Sequence, residues 1–358
     1  MAGSPEPGGR AVSRISVALA TWNGTRYLEA QLRSLLAQTL RPDEIVLRDD
    51  GSDDETLALA RGILEGQGIR LDLASNPTRL GSTGNFEAAL RACTGDVVFF
   101  CDQDDVWHPD KIRVLEKALR EHPEAGWAFC DLRLVDSGLV PLGGTMWDKI
   151  GFTPTLRGIY EQDPLEALLR RPLVTGAAMA VRRELALLAT PFPAGWVHDQ
   201  WISLILTSLG RPGRAIDTCL VDYRVHSAQQ IGTKANGPIA RIRAILAARQ
   251  ETYFHHARRF GALSESARLA GAPAESVAHV VRTARHHLAR GSIPSLGLAG
   301  GLMTILSEAR EGRYVYSANP NLSWFKDLLR LRPGRRSSDL DVNTFLRPGD
   351  HSPGNAPG

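Results

Sequence analysis

Asp96-Val97-Val98-Phe99-Phe100-Cys101-Asp102-Gln103-Asp104-Asp105 decides how the rest of the chain is read. Its apolar run, dominated by β-branched and aromatic side chains, predicts a short buried strand over Asp96–Cys101. That strand stops abruptly at three aspartates within four positions. Like charges so close repel and raise one another's pKa unless a cation lies among them. Oxygen ligands suit a hard ion such as Mg2+ or Mn2+, which commonly bridges protein carboxylates to substrate phosphates. The competing expectation is a capped turn, with Asp104 or Asp105 capping a helix that begins near Pro109.

Upstream, Ile15–Ala20 and Glu44–Arg48 have the composition of buried strands, and a third short strand is expected over Ile69–Leu73. Between them Tyr27–Leu36, Glu55–Glu65 and Asn85–Ala92 fall at helical spacing, the second with Asp53 or Asp54 as its cap. Strand–helix–strand repetition predicts an α/β fold, a mostly parallel sheet with helices on both faces. Ligands of such sheets bind outside the carboxyl ends of the strands. Here those ends carry Thr21-Trp22-Asn23, Asp49-Asp50 and the Asp102–Asp105 cluster. Asp49-Asp50-Gly51-Ser52 is either a plain turn or a source of carboxylate for a nucleotide base or ribose. Gly81-Ser82-Thr83-Gly84-Asn85 lacks both the P-loop ending and the dinucleotide glycine pattern, so it is expected to be a loop that allows close approach and caps the next helix.

The length of 358 residues suits one large domain with an appendage, or two domains. A net charge of +3 is too small to argue for nucleic acid as a partner. Cys93, Cys101, Cys130 and Cys219 form no CxxC pair, which points to neither zinc nor a disulfide framework and fits a reducing cytoplasm. The first residues, MAGSPEPGGR, lack the apolar core of a secretory signal, and Ser295–Leu306 is too short and glycine-rich to span a bilayer. Pro, Gly, Ser and charge dominate residues 1–11 and 331–358, which are expected to be disordered tails. The expected division between them is a sheet domain over 12–236 and a helical region over 237–330.

Seven segments, in order, resemble the family 2 glycosyltransferases of GT-A fold, and most closely their rhamnosyltransferase-like branch that builds bacterial surface polysaccharides. They are Thr21–Leu28, Gln31–Gln38, Asp43–Ser52, Phe100–Ile112 (FCDQDDVWHPDKI), Val174–Ala180, His198–Trp201 and Tyr223–His226, together spanning about 60% of the chain. The resemblance implies that Thr21 and Asn23 border a base pocket, with Trp22 stacking on the base and Asp50 holding the base or ribose. Asn85 and Gln103 join this nucleotide-sugar side, and Asp102 contacts the ribose or a metal-bound water. Asp104 is then the direct ligand of a divalent Mg2+ or Mn2+, completed by His226, and Asp199 is the general base. Thr175, Gly176, His198 and Trp201 fall on the acceptor side.

Sugar transfer breaks an anomeric C–O bond, leaving a diphosphate whose growing negative charge a cation stabilises. The acceptor hydroxyl is a poor nucleophile, so a carboxylate must take its proton. The resemblance implies inversion by direct displacement, a dTDP- or UDP-linked donor and a glycan or lipid-linked acceptor. Two rivals stand beside it: a sugar nucleotidyltransferase, which would need a basic glycine-rich N-terminal loop, and a non-catalytic nucleotide-sugar or glycan-binding module, which needs no base. Ile239–Phe260 and Ala274–Leu288 are basic and amphipathic. They are expected either to pack as a helical subdomain or to make peripheral membrane contact, with Leu328–Arg336 assisting electrostatically. The pairs His255-His256 and His286-His287 are expected on solvated surface.

Overall fold

The computed structural model describes residues 12–226, 250–317 and 320–332, so most of both expected tails, and residues 239–249 of the first basic segment, lie outside the described residues. The described residues fall into two compact units, one of residues 12–168 and 172–226, the other of 169–171, 250–317 and 320–332. In chain order come β1 (Ile15–Thr21), α1 (Thr25–Leu36), β2 (Glu44–Asp49), α2 (Thr56–Leu64), β3 (Arg70–Ser75), α3 (Gly81–Ala92), β4 (Val97–Asp102), β5 (Val106–Trp107) and α4 (Lys111–Glu121). They are followed by β6 (Trp127–Val135), β7 (Pro141–Thr145), α5 (Met146–Ile150), α6 (Pro154–Gln162), α7 (Pro164–Arg170), β8 (Met179–Arg182), α8 (Arg183–Leu188), α9 (His198–Ser208) and β9 (Gly213–Arg224).

Alternation along the strands explains the layers. Ile15, Val17 and Leu19 of β1 join Ile45 and Leu47 of β2 in one core with Leu28, Leu32 and Leu35 of α1 and Ile112 and Leu115 of α4. The intervening positions serve the other face, where Phe86 of α3 meets Phe100 of β4 edge-on at 5.7 Å. Buried on both faces, the strands read as continuous apolar runs. The sheet order is β3-β2-β1-β4-β8-β6-β9-β5, with β7 paired to β6. It is parallel through β3-β2-β1-β4 and between β6 and β9, whereas β8 runs antiparallel to both β4 and β6. The expected α/β layering therefore holds, with a mixed rather than parallel second half.

One correction falls at Gly81-Ser82-Thr83-Gly84. The expected loop is the first turn of α3, because the Asp50 carboxylate accepts from the Leu80 and Gly81 amides and caps the helix from a neighbouring strand end. Nor do Asp104 and Asp105 cap a helix: α4 starts at Lys111, preceded by Asp110.

At the opposite end of the parallel strands, Glu44 is buried and ties three of them together. Its carboxylate accepts from the Ser16 hydroxyl of β1, from Arg70 of β3 at 2.8 Å, and from the Thr94 and Gly95 amides just before β4. Burial pushes the Glu44 carboxyl up, but these bonds outweigh it and hold the group below its ordinary value.

In the second unit α10 (Gln250–Leu269) and α11 (Ala274–Ser292) pack along each other, followed by α12 (Gly297–Arg310), a 3-10 turn at Arg313–Tyr316 and α13 (Pro320–Leu329). His286 and His287 correct the solvated reading: both are buried. His286 bridges Glu308 at 2.6 Å and Ser317 at 3.1 Å, while His287 stacks on Phe260. Because α11 is covered on more than one side, adjacent positions are both enclosed; His255 alone of the four is exposed, and His256 is half-buried. Cys93, Cys101 and Cys130 are buried free thiols, as expected, and Cys219 is exposed. No helix among the described residues is long and apolar enough to cross a membrane.

Glu44→Gln is expected to cost about 1–3 kcal/mol at pH 7, since a carboxamide NH2 would face donors. A folded-state pKa below the unfolded one gives stability present above the unfolded value and lost as pH falls through the folded one. The gap between the two proteins in urea denaturation should therefore narrow in acid.

Candidate functional site

A cavity of about 340 Å³ opens at the carboxyl ends of β1 and β4, within the first unit. Thr21, Trp22, Asn23, Asp50, Asn85, Asp102, Gln103, Asp104, Thr175, Gly176, His198, Asp199 and His226, drawn from widely separated parts of the chain, all line it. Trp201 does not. It is buried, its indole donating to the Ala189 carbonyl at 2.7 Å and its ring lying against Trp196, so its acceptor-side assignment is corrected.

Several lining side chains are occupied in shaping the walls. The Gln103 amide clamps both backbone groups of Trp22, accepting from its N–H at 2.8 Å and donating to its carbonyl at 2.9 Å. A Cβ on Gly24 would overlap the Gln103 amide oxygen, which accounts for glycine there. The Thr21 hydroxyl donates to Asp49, and Asn85 donates to the carbonyls of Thr21 and Arg48. Asp50 spends both oxygens on the amides of Leu80 and Gly81, with Asn76 donating as well. Asn23 takes a left-handed backbone, φ 48°, and its side chain accepts from the Asp53 amide. Trp22 remains half-exposed at the rim, with the Arg79 guanidinium 3.9 Å over its ring.

Acidic groups concentrate on the other wall. Asp104 Oδ2 lies 2.8 Å from His226 Nε2, and the His226 ring rests 5.0 Å from that of Tyr27. Behind them Asp105 is fully buried; Oδ1 accepts from the Arg224 amide at 3.1 Å, and Oδ2 has no hydrogen-bond partner among the described residues. Burial, then the charges of Asp104 and Asp102, push the Asp105 carboxyl well above its ordinary range. Burial, then Asp104 and Asp199, push Asp102 up to about 7, against the pull of Lys111. Lys111 is itself fully buried, donating to the Ala177 carbonyl with its ammonium 3.2 Å over the Trp107 ring, and burial lowers it to about 8. Carboxylates at positions 102, 104 and 199 thus face one cavity with a single buried ammonium behind them. Of the residues lining it, Asp104 and His226 lie together and offer an oxygen and a nitrogen of the kinds that divalent cations such as Mn2+ or Mg2+ accept.

Asp199, in the first turn of α9, accepts from the Gly176 amide at 2.8 Å and the Gln200 amide at 2.5 Å. Burial raises its carboxyl to about 6, although both amides pull it down. Next to it His198 is buried among Phe86 and Phe100, and neither ring nitrogen has a hydrogen-bond partner among the described residues. Burial lowers the imidazole to about 3, keeping it neutral. The ring sits so close to Gly176 that a Cβ there would collide with Nε2.

Arg26, Tyr27, Ser82, Phe86, Val197 and Tyr223 also line the cavity and were not singled out from sequence. Arg26, Tyr27 and Tyr223 fall inside quoted motifs, and their signal was position: the first turn of α1 and the end of β9 abut the same strand ends. Ser82 reaches the cavity because α3 begins at Gly81, and Phe86 lies one turn further along the same helix.

Residues 16–185 match the family described as Glycosyl transferase family 2. An uncharacterized glycosyltransferase of Nostoc sp. is 38% identical over 104 residues, 29% of this chain and 32% of that protein. The dTDP-rhamnosyl transferase RfbG of Shigella flexneri is 30% identical over 99 residues, 26% of this chain and 34% of that protein. The matches thus span about a third of the length of these relatives. Among solved structures, a mannosyltransferase from Pyrobaculum calidifontis in complex with GDP-Man and Mn2+ is similar with a TM-score of 0.50 at 18% identity, over 91% of this chain and 88% of that one, a likeness of fold.

Asp105→Asn keeps an acceptor for the Arg224 amide and removes a crowded charge. A raised folded-state pKa means that the wild type loses stability as pH climbs above the unfolded carboxylate value of about 4. In chelator the variant should melt alike at pH 4 and progressively higher than the wild type toward pH 8, by a few degrees in thermal denaturation.

Proposed function

We propose that this chain, whose residues 16–185 match glycosyl transferase family 2, moves a sugar from a nucleoside diphosphate onto a hydroxyl of a glycan or lipid-linked acceptor, with inversion. The observation that carries this reading is that Asp199 shares one cavity with Asp102, Asp104 and His226, which a binding module would not require.

The donor base lies against Trp22 at the rim, beside Asn23 and Asp50, with the diphosphate directed toward Asp104 and His226. A uracil or thymine nucleotide is favoured by the resemblance to the rhamnosyltransferase-like branch, with rhamnose as the sugar. Asp104 and His226 would hold Mn2+ or Mg2+, which when bound offsets the negative charge growing on the leaving diphosphate. Asp199 accepts the proton of the acceptor hydroxyl while that oxygen bonds to the anomeric carbon and the bond to the diphosphate breaks. The amides of Gly176 and Gln200 fix the carboxylate's orientation, and its enclosure raises its basicity toward the working range. Thr175, Gly176 and His198 form the acceptor wall, with the buried imidazole behind the Gly176 backbone.

Because the base must be ionised, kcat/KM should fall about tenfold per pH unit below a pKa near 6 and level off above it. Asp199→Asn should lose at least about a thousandfold in transfer while binding nucleotide and Mn2+ as before. A pH profile flat down to 4, or lost nucleotide binding in the variant, would make Asp199 a structural residue. Asp104→Ala is expected to weaken UDP or dTDP binding in Mn2+ at least tenfold by calorimetry while leaving metal-free binding unchanged; equal affinity in both proteins would take it off the ligand set.

A further inference from the structure

Two helices of the second unit expose an uncommon amount of apolar side chain. On α12 Leu298, Leu302 and Leu306 recur every four residues beside Met303, each 43–69% exposed. On α13 Leu322, Phe325 and Leu329 form a second stripe, with Trp324 exposed nearby, each 41–60% exposed. The inner side of α12 is accounted for by Gly301, Ile305 and Glu308, which are buried, and the Gly301 backbone lies close against Leu331. The outer stripes are therefore extra to what the helices need for packing. Single exposed leucines are ordinary, whereas contiguous patches of this size mark a surface that meets something.

We propose that α12 and α13 dock the protein on an anionic lipid surface. Charge selects this occupant. Neither helix exposes an acidic side chain: Glu308 is buried against His286 and Arg313, and Asp327 is buried against Arg290. Exposed Arg310 and Arg332 border the stripes, the exposed Glu311 between them, just beyond α12, is paired with Arg313, and the sequence continues into Arg335 and Arg336. A second copy would bring those cations together, whereas an anionic headgroup layer complements them. Helices of 14 and 10 residues are too short to span a bilayer but suit burial of one face at its boundary, where Trp324 places a ring with a polar edge. The inference rests on the helical unit alone and is independent of the transferase reading.

Vesicle flotation of the full chain tests it, with phosphatidylcholine alone and mixed with phosphatidylglycerol. The wild type should float with the mixture and much less with phosphatidylcholine. Leu302→Ser with Leu306→Ser, and separately Trp324→Ser with Phe325→Ser, should each lower the bound fraction roughly tenfold while nucleotide binding persists. Arg310→Glu with Arg332→Glu, which leaves the apolar stripes intact, should abolish the preference for phosphatidylglycerol. Wild-type protein that stays at the bottom of the gradient with both vesicles overturns the proposal, as do variants that float unchanged. A dimer in sedimentation velocity that the leucine variant dissociates, without flotation of the wild type, would make a second copy the occupant and equally overturn it.

Discussion

Asp105 accepts one hydrogen bond at its buried Oδ1 from the Arg224 amide, and that bond helps join the turn after β4 to the end of β9. Those segments are 119 residues apart in sequence. Two positions beyond Arg224 comes His226, and one before Asp105 comes Asp104, so this bond and the pairing of β5 with β9 bring the imidazole and the carboxylate to 2.8 Å. A buried acceptor of this kind costs free energy unless it is fully partnered, and Oδ2 is not. The site thus carries an electrostatic strain that packing elsewhere must offset, with Lys111 the buried counter-charge behind it.

The same logic governs the wall built from the loops after β1 and β2. Gln103, Asp50, Thr21 and Asn85 all border the cavity, yet their polar atoms are engaged with backbone or with each other. They set the shape of the loops after β1 and β2, while Trp22 keeps a half-exposed face at the rim. A cavity whose walls are cross-bonded in this way is preorganised, so little ordering has to accompany ligand entry.

How much of this was legible follows from locality. The strands β1, β2 and β4 announce themselves because burial on both faces makes them uninterrupted apolar runs, and the acidic clusters mark their ends. The start of α3 was hidden because its cap, Asp50, sits 31 residues upstream of Gly81. Strand β6 has a nearly continuous buried pattern but pairs with partners far along the chain, so no spacing rule revealed its neighbours. Trp201 stands beside His198 in one motif, and its interior packing comes from Ala189 and Trp196, partners that no local spacing reveals. His286 and His287 looked solvated because adjacent residues rarely share a face; a helix enclosed on several sides removes that premise.

Glu44 has a consequence of another kind. Every partner of its carboxylate lies between Ser16 and Gly95, so the lower ends of β1, β2 and β3 and the entrance to β4 can be locked without any later residue. During synthesis, which delivers the amino-terminal part first, this quarter of the chain can close before β6, β8 or β9 has left the ribosome. The later strands then add to an edge that is already rigid, and the aspartates after β4 wait at its rim until the last strand arrives.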